Sequence, residues 1–527
     1  MNLLLDPLFR VRLPEQTTRA SLPELLALLG EDRVDSLPGL QRHQEDAFHI
    51  FLCYLAGAVL DRQGRAEPRQ SAVFWLEGIR ALTNAEGCDN DDAWTLVVDD
   101  PTRPAFLQAP APSREVYMRE YVFERKTNKP RKAKATTPAA LDVLQTARNH
   151  DIKAARGWSD EPEAWCYALL TMQTMTGYSG RGNQSISRMN GGYGSRPCVG
   201  WQEHRRAGTR FLRDTAVLLS HRSTWLEQPY PYRNVGKVLL WLQAWDGEVP
   251  LPLSTLDPFY LEIARRIRLI STQDGYRALA ATASSPRIAA KDQKGNLGDP
   301  WIPINIEKGS ALTVQGTGLT PKLLRELLFP DGVYNPAVMQ DVSAGQGAGW
   351  LSASVLVGGD CTTDGFHEAA IRIPEKIRPV VFGKSPARDR LAGLSKQGLE
   401  TAARIQYKAL RPALFALMEG GPDSIHPDKT EISHWVDKAA GAYSRHWNPL
   451  YFDWLWSTLD QPDDAAALKP WFEQLRKLAE TTLEQAFDRV PLRSGRNYRG
   501  KTRARGMFYG SLHKHFKDYM EANHEPV

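Results

Sequence analysis

This sequence of 527 residues has few cysteines and no long apolar run, and both shortages exclude whole classes of protein. The five cysteines are scattered, odd in number and form no CxxC pair, which argues against a disulfide framework and against a zinc finger. The longest apolar run, Phe51 to Leu60, is too short to cross a bilayer. The N-terminus carries Asp6 and lacks the basic start of a signal peptide. We therefore expect a reduced, cytoplasmic protein that binds no membrane.

Familiar catalytic motifs are missing as well. GxSxG and HExxH are absent, and the segment FGKSP (382–386) is not a P-loop because Arg378 stands where the motif needs its first glycine. Asn149, His150 and Asp151 together hint at a nuclease centre, but no further metal ligands follow nearby. The sequence predicts no cofactor, no metal and no catalytic residue, with a metal-dependent nucleic-acid enzyme as an alternative.

Basic residues, by contrast, are concentrated in two blocks. The net charge is only +5, yet residues 125–134 (RKTNKPRKAK) hold six basic side chains in ten. Residues 493–516 hold seven Lys or Arg, two His and no acid. Such blocks indicate a polyanionic partner, although a solvated loop and a solvated helix face would give the same pattern.

A third cationic stretch, residues 177–197 (GYSGRGNQSISRMNGGYGSRP), contains six glycines, three arginines and no acid. Glycine has no Cβ, so this backbone can approach phosphates or the base edges of a narrow minor groove. The alternative is a glycine-rich loop that crosses a packed surface. We expect charge and hydrogen bonds from six of its side chains: Arg181, Arg188, Arg196, Asn183, Gln184 and Asn190.

The pattern along the chain predicts two parts. Residues 1–384 mix apolar helical segments with short alternating runs and form a mixed α/β (α+β) domain. Residues 385–527 form an all-α four-helix bundle, because four long periodic segments follow one another with short connections. These segments are 391–418, 429–443, 465–489 and 502–520.

Several of these segments, taken in order, resemble the CasA family, the large subunit of the type I-E CRISPR complex Cascade. The resemblance rests on MQTMTGYSGRGNQSISRMNGGYGSRP, preceded by RPAFLQ and TARNHDIK and followed by DPWIPI and GGDCTTDGFHE. It implies a subunit that recognises the PAM of double-stranded DNA from the minor groove and opens the duplex for guide pairing. It also implies partners: the other Cascade subunits, the guide RNA, target DNA, and an effector helicase–nuclease or a nuclease domain fused to another subunit.

The resemblance also implies sites. The glycine loop (residues 177–183), supported by a second glycine cluster at 191–194, matches Gly177, Ser179, Gly180, Arg181, Gly182 and Asn183. The loop near the 5′ end of the guide RNA matches Asn149, His150, Asp151 and Lys153. The wedge matches Thr362, Thr363, Asp364 and Gly365, which depart from the family's glutamine.

Further cationic residues are assigned less specific roles. A basic finger towards the PAM has four candidates, namely Arg277, Arg287, Lys291 and Lys294. Non-specific contacts to nucleic acid are expected from Lys126, Lys129, Arg131, Lys132, Lys134, Arg499, Lys501, Arg503 and Arg505. A protein-interaction scaffold without sequence reading is a further alternative, in which these charges only face water.

Overall fold

The computed structural model describes most of the chain, and it divides into two compact units. The first unit consists of Met1–Thr320 and Pro330–Ile373, and the second of Pro321–Phe329 and Pro374–Val527. The first mixes helices and strands, whereas the described elements of the second are helices, which confirms the predicted fold class. The described residues are 1–123, 134–144, 161–177, 180, 182–188, 190–191, 194–227, 229–342, 347–358, 363–420, 430–490 and 494–521.

The first unit is built around one long, buried helix. Every residue from Ala47 to Leu60 is buried, because other elements of the unit pack around this helix. Aromatic rings fill the space beside it, with Phe48 and Tyr167 in edge contact at 5.0 Å between ring centroids. The helices of this unit are α1 (Leu22–Gly30), α2 (Arg42–Arg62), α3 (Ala72–Ala85), α4 (Arg114–Tyr117), α5 (Pro138–Leu141), α6 (Pro162–Met175) and α7 (Ala207–Trp225); the buried helix is α2.

The strands of the first unit form small sheets. They are β1 (Phe9–Arg12), β2 (Thr17–Ala20), β3 (Asn190–Gly191), β4 (Gly194–Ser195), β5 (Cys198–Gln202), β6 (Lys237–Leu239), β7 (Leu256–Leu261), β8 (Arg266–Thr272), β9 (Gly275–Ala281), β10 (Ile304–Asn305), β11 (Ser310–Ala311), β12 (Tyr334–Asn335), β13 (Gly349–Gly358) and β14 (Thr363–Ile373). Two antiparallel arrangements position the site described below: the β8–β9 hairpin, and a three-stranded sheet in the order β14-β13-β5.

The second unit is held together by aromatic side chains. Its helices are α8 (Pro321–Leu328), α9 (Arg378–Phe382), α10 (Pro386–Arg404), α11 (Arg411–Met418), α12 (Thr430–Trp447), α13 (Tyr451–Ser457), α14 (Asp464–Arg489), α15 (Ser494–His515) and α16 (Lys517–Glu521). The rings of Trp454 and Trp471 stack at 4.8 Å. Gly398 on α10 makes this possible, since a Cβ there would lie 2.3 Å from the Trp454 ring. Within the described part of both units, no helix is long and apolar enough to cross a membrane.

Candidate nucleic-acid interface

One arginine joins the two ends of the glycine loop. The guanidinium of Arg265 donates from Nη2 to the carbonyl of Gly177 at 2.5 Å and from Nη1 to the carbonyl of Asn183 at 2.7 Å. Arg265 follows strand β7 and is only 7% exposed. The planar fork of a guanidinium can hold two acceptors at a fixed separation. The loop is therefore closed at its base by a single buried side chain.

A buried glutamine on helix α6 fixes the backbone from which Arg265 extends. The Gln173 carbonyl oxygen accepts hydrogen bonds from the N–H groups of Ala264 at 2.8 Å and Arg265 at 2.7 Å. Its amide donates to the carbonyls of Leu107 at 2.7 Å and Arg265 at 3.0 Å. All of its polar atoms are thus satisfied inside the core. The sequence prediction missed both residues, although a lone glutamine in an apolar helix was a usable signal.

The glycine loop is docked on the end of strand β9. The N–H of Ala283 donates to the Gly182 carbonyl at 2.7 Å, and the Ala283 carbonyl accepts from Gln184 at 3.1 Å. Gly180 and Gly182 both have φ near +82°, a conformation that glycine adopts without strain. Two further predicted loop residues, Ser179 and Arg181, lie outside the described residues.

Two arginines of the same stretch serve the interior, so the prediction that they add surface charge is wrong. Arg188 is buried between the rings of Tyr54 and Tyr260, with its guanidinium carbon 4.1 and 3.7 Å from the two centroids. Arg196 is also buried and donates to the carbonyl of Arg188 at 2.9 Å. Sequence composition gives the number of charged residues but does not show which of them are buried.

A buried glutamate completes this layer beneath the glycine-rich stretch. The carboxylate of Glu262 accepts two hydrogen bonds from the backbone N–H of Arg188, at 2.9 and 3.0 Å. Burial raises the pKa of Glu262 to about 8, against the opposing influence of Arg188. At neutral pH this carboxyl group is therefore largely protonated.

The predicted wedge lies at the end of the β13–β14 hairpin. Strands β13 and β14 pair up to Gly358 opposite Thr363, with a register irregularity at that end. Thr363 is buried, Asp364 is exposed and Gly365 is half-buried, while Thr362 lies outside the described residues. The hairpin therefore presents Asp364 to solvent beside its connecting segment.

Two hydroxyl groups tie this hairpin end to other predicted elements. The Ser195 hydroxyl, on β4 of the glycine-rich stretch, accepts from the N–H of Gly358 at 2.6 Å. The Thr363 hydroxyl donates to the carbonyl of Val143 at 2.6 Å. Val143 stands shortly before the segment predicted to contact the guide RNA. The structure thus brings together the wedge, the second half of the glycine-rich stretch and the approach to the guide segment.

The residues that lead to the guide segment are held in place by buried contacts with helix α2. Asp142 is buried and its two carboxylate oxygens lie 2.7 Å from the His43 ring and 2.6 Å from the Gln44 amide, both on helix α2. The four residues predicted to contact the guide, Asn149, His150, Asp151 and Lys153, lie outside the described residues.

The end of the first basic block joins the same hairpin that supports the glycine loop. The backbone N–H of Lys134 donates to the carbonyl of Ala278 on β9 at 2.6 Å. Ala278 lies five residues before Ala283, which holds the glycine loop. The remaining predicted residues of this block, Lys126, Lys129, Arg131 and Lys132, lie outside the described residues.

The four candidates for the basic finger differ in their exposure to solvent. Arg287 is buried and its guanidinium donates to three main-chain carbonyls, so its assignment to a DNA-contacting finger is wrong. Arg277 is half-buried and forms an ion pair with Asp274 at 3.0 Å. Lys291 and Lys294 are exposed in one turn.

The second basic block lies on helix α15 of the second unit. This helix buries one face at intervals of four residues and exposes Arg499, Arg503 and Arg505, while Lys501 is half-buried. Arg505 forms a two-pronged ion pair with Glu484 on α14, at 2.8 and 3.0 Å, and lies over the Phe487 ring at 4.8 Å. Arg505 is thus already engaged by a carboxylate.

The first unit also contains a polar cavity of about 590 Å³, in which an arginine is paired with carboxylates. It lies between α2, α7 and the β14-β13-β5 sheet. Arg210 contacts Asp46 at 2.6 Å and Asp214 at 3.7 Å, and His49 contacts Asp214 at 2.8 Å. Burial and the nearby Arg210 lower the pKa of His49. The arginine in this cavity is thus paired with carboxylates.

In the part of the chain that the structure describes, no group of three His, Cys, Asp or Glu is placed to hold a metal ion.

Solved structures with the same fold are CasA and Cse1 proteins, which confirms the resemblance. CasA of Thermus thermophilus is 14% identical with a TM-score of 0.60, over 98% of this chain and 99% of that one. Cse1 of Acidimicrobium ferrooxidans, a CRISPR-associated protein, is 14% identical with a TM-score of 0.59, over 98% of both chains. Cse1 of Thermobifida fusca is 12% identical with a TM-score of 0.54, over 99% of both chains. No family model and no curated protein sequence gives a significant match. At these identities the likeness establishes a shared fold from end to end.

Proposed function

We propose that this chain is the large subunit of an RNA-guided CRISPR surveillance complex of the Cascade type. In that role it recognises the PAM in double-stranded DNA, helps to open the duplex for guide pairing, and recruits or positions the effector nuclease. It carries out no catalysis itself. The similarity to CasA and Cse1 supports this proposal. The observation that carries it is the hydrogen-bonded meeting of three segments far apart in sequence, at Val143, Ser195 and Thr363.

PAM recognition is assigned to the glycine loop. Arg265 holds both ends of the loop, and Gly182 is bonded to Ala283 just after β9, so these attachment points are in place before DNA arrives. Gly180 and Gly182 carry no side chain that would keep this backbone out of a narrow minor groove. The minor groove mainly distinguishes A·T from G·C pairs. We therefore expect a short and partly degenerate PAM.

Duplex opening is assigned to the end of the β13–β14 hairpin. Separating one base step costs a few kcal/mol, which an inserted wedge offsets in part. The guide–target heteroduplex is about as stable as the duplex that it replaces, so a small contribution from the protein decides the outcome. Thr363 and Asp364 stand at this end, next to Ser195 of the glycine-rich stretch. PAM reading and strand separation would then occur at adjoining sites.

Guide RNA and flanking DNA are assigned to the remaining basic and polar segments. Residues 149–153 would contact the 5′ end of the guide, since the chain leads towards this segment from Val143 beside the hairpin. The block at 125–134 would hold the flanking duplex or the displaced strand through phosphate contacts, and so would helix α15. The other Cascade subunits and the effector helicase–nuclease, or a nuclease domain fused to another subunit, complete the set of partners.

The test is a binding selection with the reconstituted complex, with and without this chain. Duplexes carry a randomised sequence beside a guide-matched target. We expect a preference for two or three bases only when the chain is present. If the same sequences bind in its absence, the chain is a scaffold. If the isolated chain cuts DNA when divalent metal is added, it is a nucleic-acid enzyme.

A further inference from the structure

The turn that carries Lys291 and Lys294 packs on the buried side chain of Arg196. Gly295, in this turn of residues 291–298, has a φ of +83°. A Cβ built on Gly295 would lie 2.4 Å from Cζ of Arg196 and 2.5 Å from its Nε. The guanidinium group of Arg196 therefore lies directly against the backbone of the turn, at a position where only glycine fits.

Arg196 is itself anchored on the main chain of the glycine-rich stretch. Its Nη1 donates to the carbonyl of Ser187 at 3.0 Å and to the carbonyl of Arg188 at 2.9 Å. Both of these residues are buried, and the Arg188 N–H is in turn bonded to the carboxylate of Glu262. One side of the guanidinium group is thus fixed to buried backbone while its neighbouring atoms support Gly295.

Hydrogen bonds between backbone groups tie the same turn to the β13–β14 hairpin. The carbonyl of Lys294 accepts from the N–H of Ala311 at 3.1 Å. Three residues further on, the N–H of Val314 donates to the carbonyl of Ser195 at 2.7 Å. The hydroxyl of Ser195 accepts from the N–H of Gly358 at the end of the hairpin. The turn is thus connected to this end of the hairpin through two short stretches of backbone.

The two lysines of the turn are exposed cations. Neither ammonium group lies within ion-pair distance of a carboxylate of any described residue. Asp292 stands between them and is also exposed, so the turn keeps a net positive charge. Lys294 has a φ of +49°, a conformation that is uncommon for a residue with a Cβ. Such backbone persists where surrounding contacts impose it, and it is concentrated at functional sites.

We propose that Arg196 is a positioning residue that holds the turn of residues 291–298 so that Lys291 and Lys294 bind phosphate groups of the DNA beside the β13–β14 hairpin. This inference rests on the proposed function and adds to it a phosphate subsite and the residue that positions it. A lysine ammonium group is a compact point charge on a flexible stem. It therefore suits phosphate oxygens, which set affinity and register, better than the fixed pattern of a base edge.

The test measures how the DNA affinity of the reconstituted complex depends on salt. Each phosphate contact that is lost makes the slope of log affinity against log salt concentration shallower by about 0.9. We expect the double variant Lys291→Ala, Lys294→Ala to make the slope shallower by about two. It should weaken binding to all sequences alike, so that the PAM preference in the randomised-duplex selection is unchanged.

A double-mutant cycle then tests whether Arg196 acts through the two lysines. Arg196→Lys keeps the buried charge but loses the planar group that supports Gly295, so we expect a slope shallower by about one to two. In the double lysine variant, Arg196→Lys should leave the slope unchanged. A residue that only stabilises the fold would have the same effect on binding in both backgrounds.

Gly295→Ala tests the same contact from the side of the turn. Its Cβ would collide with the guanidinium group, so we expect the same shallower slope as in Arg196→Lys. The matched control is Gly332→Ala, because Gly332 has a φ of +79° and a Cβ there would have no atom within 4 Å. This control should keep the slope of the wild type. Size-exclusion chromatography checks that each variant enters the complex.

Each result has a distinct meaning. If the wild-type complex shows no PAM preference, the proposed function fails and the inference fails with it. If the preference is present but the double lysine variant keeps the full slope, the phosphate subsite is refuted and the proposed function stands. If Arg196→Lys keeps the full slope, or changes it equally in both backgrounds, the positioning role is refuted. If Arg196→Lys does not assemble, Gly295→Ala decides by the same criterion.

Discussion

Replacing Gly182 tests whether the glycine loop enters a DNA groove. Its φ of +82° is costly for any residue with a Cβ, by about 1–2 kcal/mol for alanine. Space is not the obstacle, since a Cβ there would lie 3.4 Å from Thr282, an ordinary contact distance. Gly182→Ala therefore strains the backbone alone. We therefore expect Gly182→Ala to lower the free energy of unfolding by about 1–2 kcal/mol, because the free and the DNA-bound chain bear the same strain.

Gly182→Asn separates backbone strain from groove entry. Asparagine tolerates positive φ far better than alanine, so the loop should keep its shape. Its side chain would nevertheless occupy the space through which a base pair edge must approach. If the loop reads the groove, Gly182→Asn flattens the PAM preference although the chain is as stable as wild type. The assay is the randomised-duplex selection, with thermal unfolding of the isolated chain as its companion.

A matched control uses Gly332, in the turn before β12. Its φ is +79° and a Cβ built on it would have no atom within 4 Å, so Gly332→Ala carries similar strain in open space. It should lower stability by a similar amount and leave the PAM preference intact. Full PAM preference in Gly182→Asn would refute groove entry by this backbone.

Three further outcomes are expected from the described contacts. Gly398→Ala should destabilise the chain by about 1–3 kcal/mol through overpacking, whereas Gly393→Ala on the same helix, with nothing within 4 Å, should stabilise it by about 0.5–1 kcal/mol; urea unfolding measures both. Because the folded pKa of Glu262 is raised from 4.5 to about 8, its contribution is fully present below pH 4.5 and is lost as pH rises to about 8. Glu262→Gln should flatten that loss in unfolding titrations at several pH values, and an equal slope in both proteins would contradict it. Glu484→Gln should release Arg505 and raise non-specific DNA affinity about twofold at low salt; unchanged binding would place Arg505 away from DNA.

Much of the architecture could be predicted from the sequence, because the spacing of apolar residues reflects which side chains are buried. Apolar spacing located the long helices of the second unit, and the glycines located the loop that needs positive φ at Gly180 and Gly182. These are local properties, set by a residue and its neighbours in the chain. The similarity in fold to CasA and Cse1 extends over nearly the whole chain.

The residues that support the candidate site could not be predicted from the sequence in this way. Arg188 and Arg196 look like surface cations in a glycine-rich loop, yet both are buried, because Tyr54, Tyr260 and Glu262 arrive from remote parts of the chain. The partners of Arg265 are main-chain carbonyls, which every residue possesses and no pattern distinguishes. Only Gln173 could have been recognised from the sequence, because it is a polar residue within an apolar helix.

The hydroxyl groups of Ser195 and Thr363 have a consequence for how the subunit would respond to its two nucleic acids. Thr363 joins the hairpin, assigned to DNA, to the residues that lead to the segment assigned to the guide RNA, and Ser195 joins the hairpin to the glycine-rich stretch, also assigned to DNA. A ligand that holds one of these segments in its bound position lowers the free-energy cost of placing the next. By thermodynamic reciprocity, a bound target would then strengthen the grip on the guide by the same factor by which the guide strengthens the grip on the target. A complex carrying Ser195→Ala and Thr363→Val would hold each nucleic acid independently of the other.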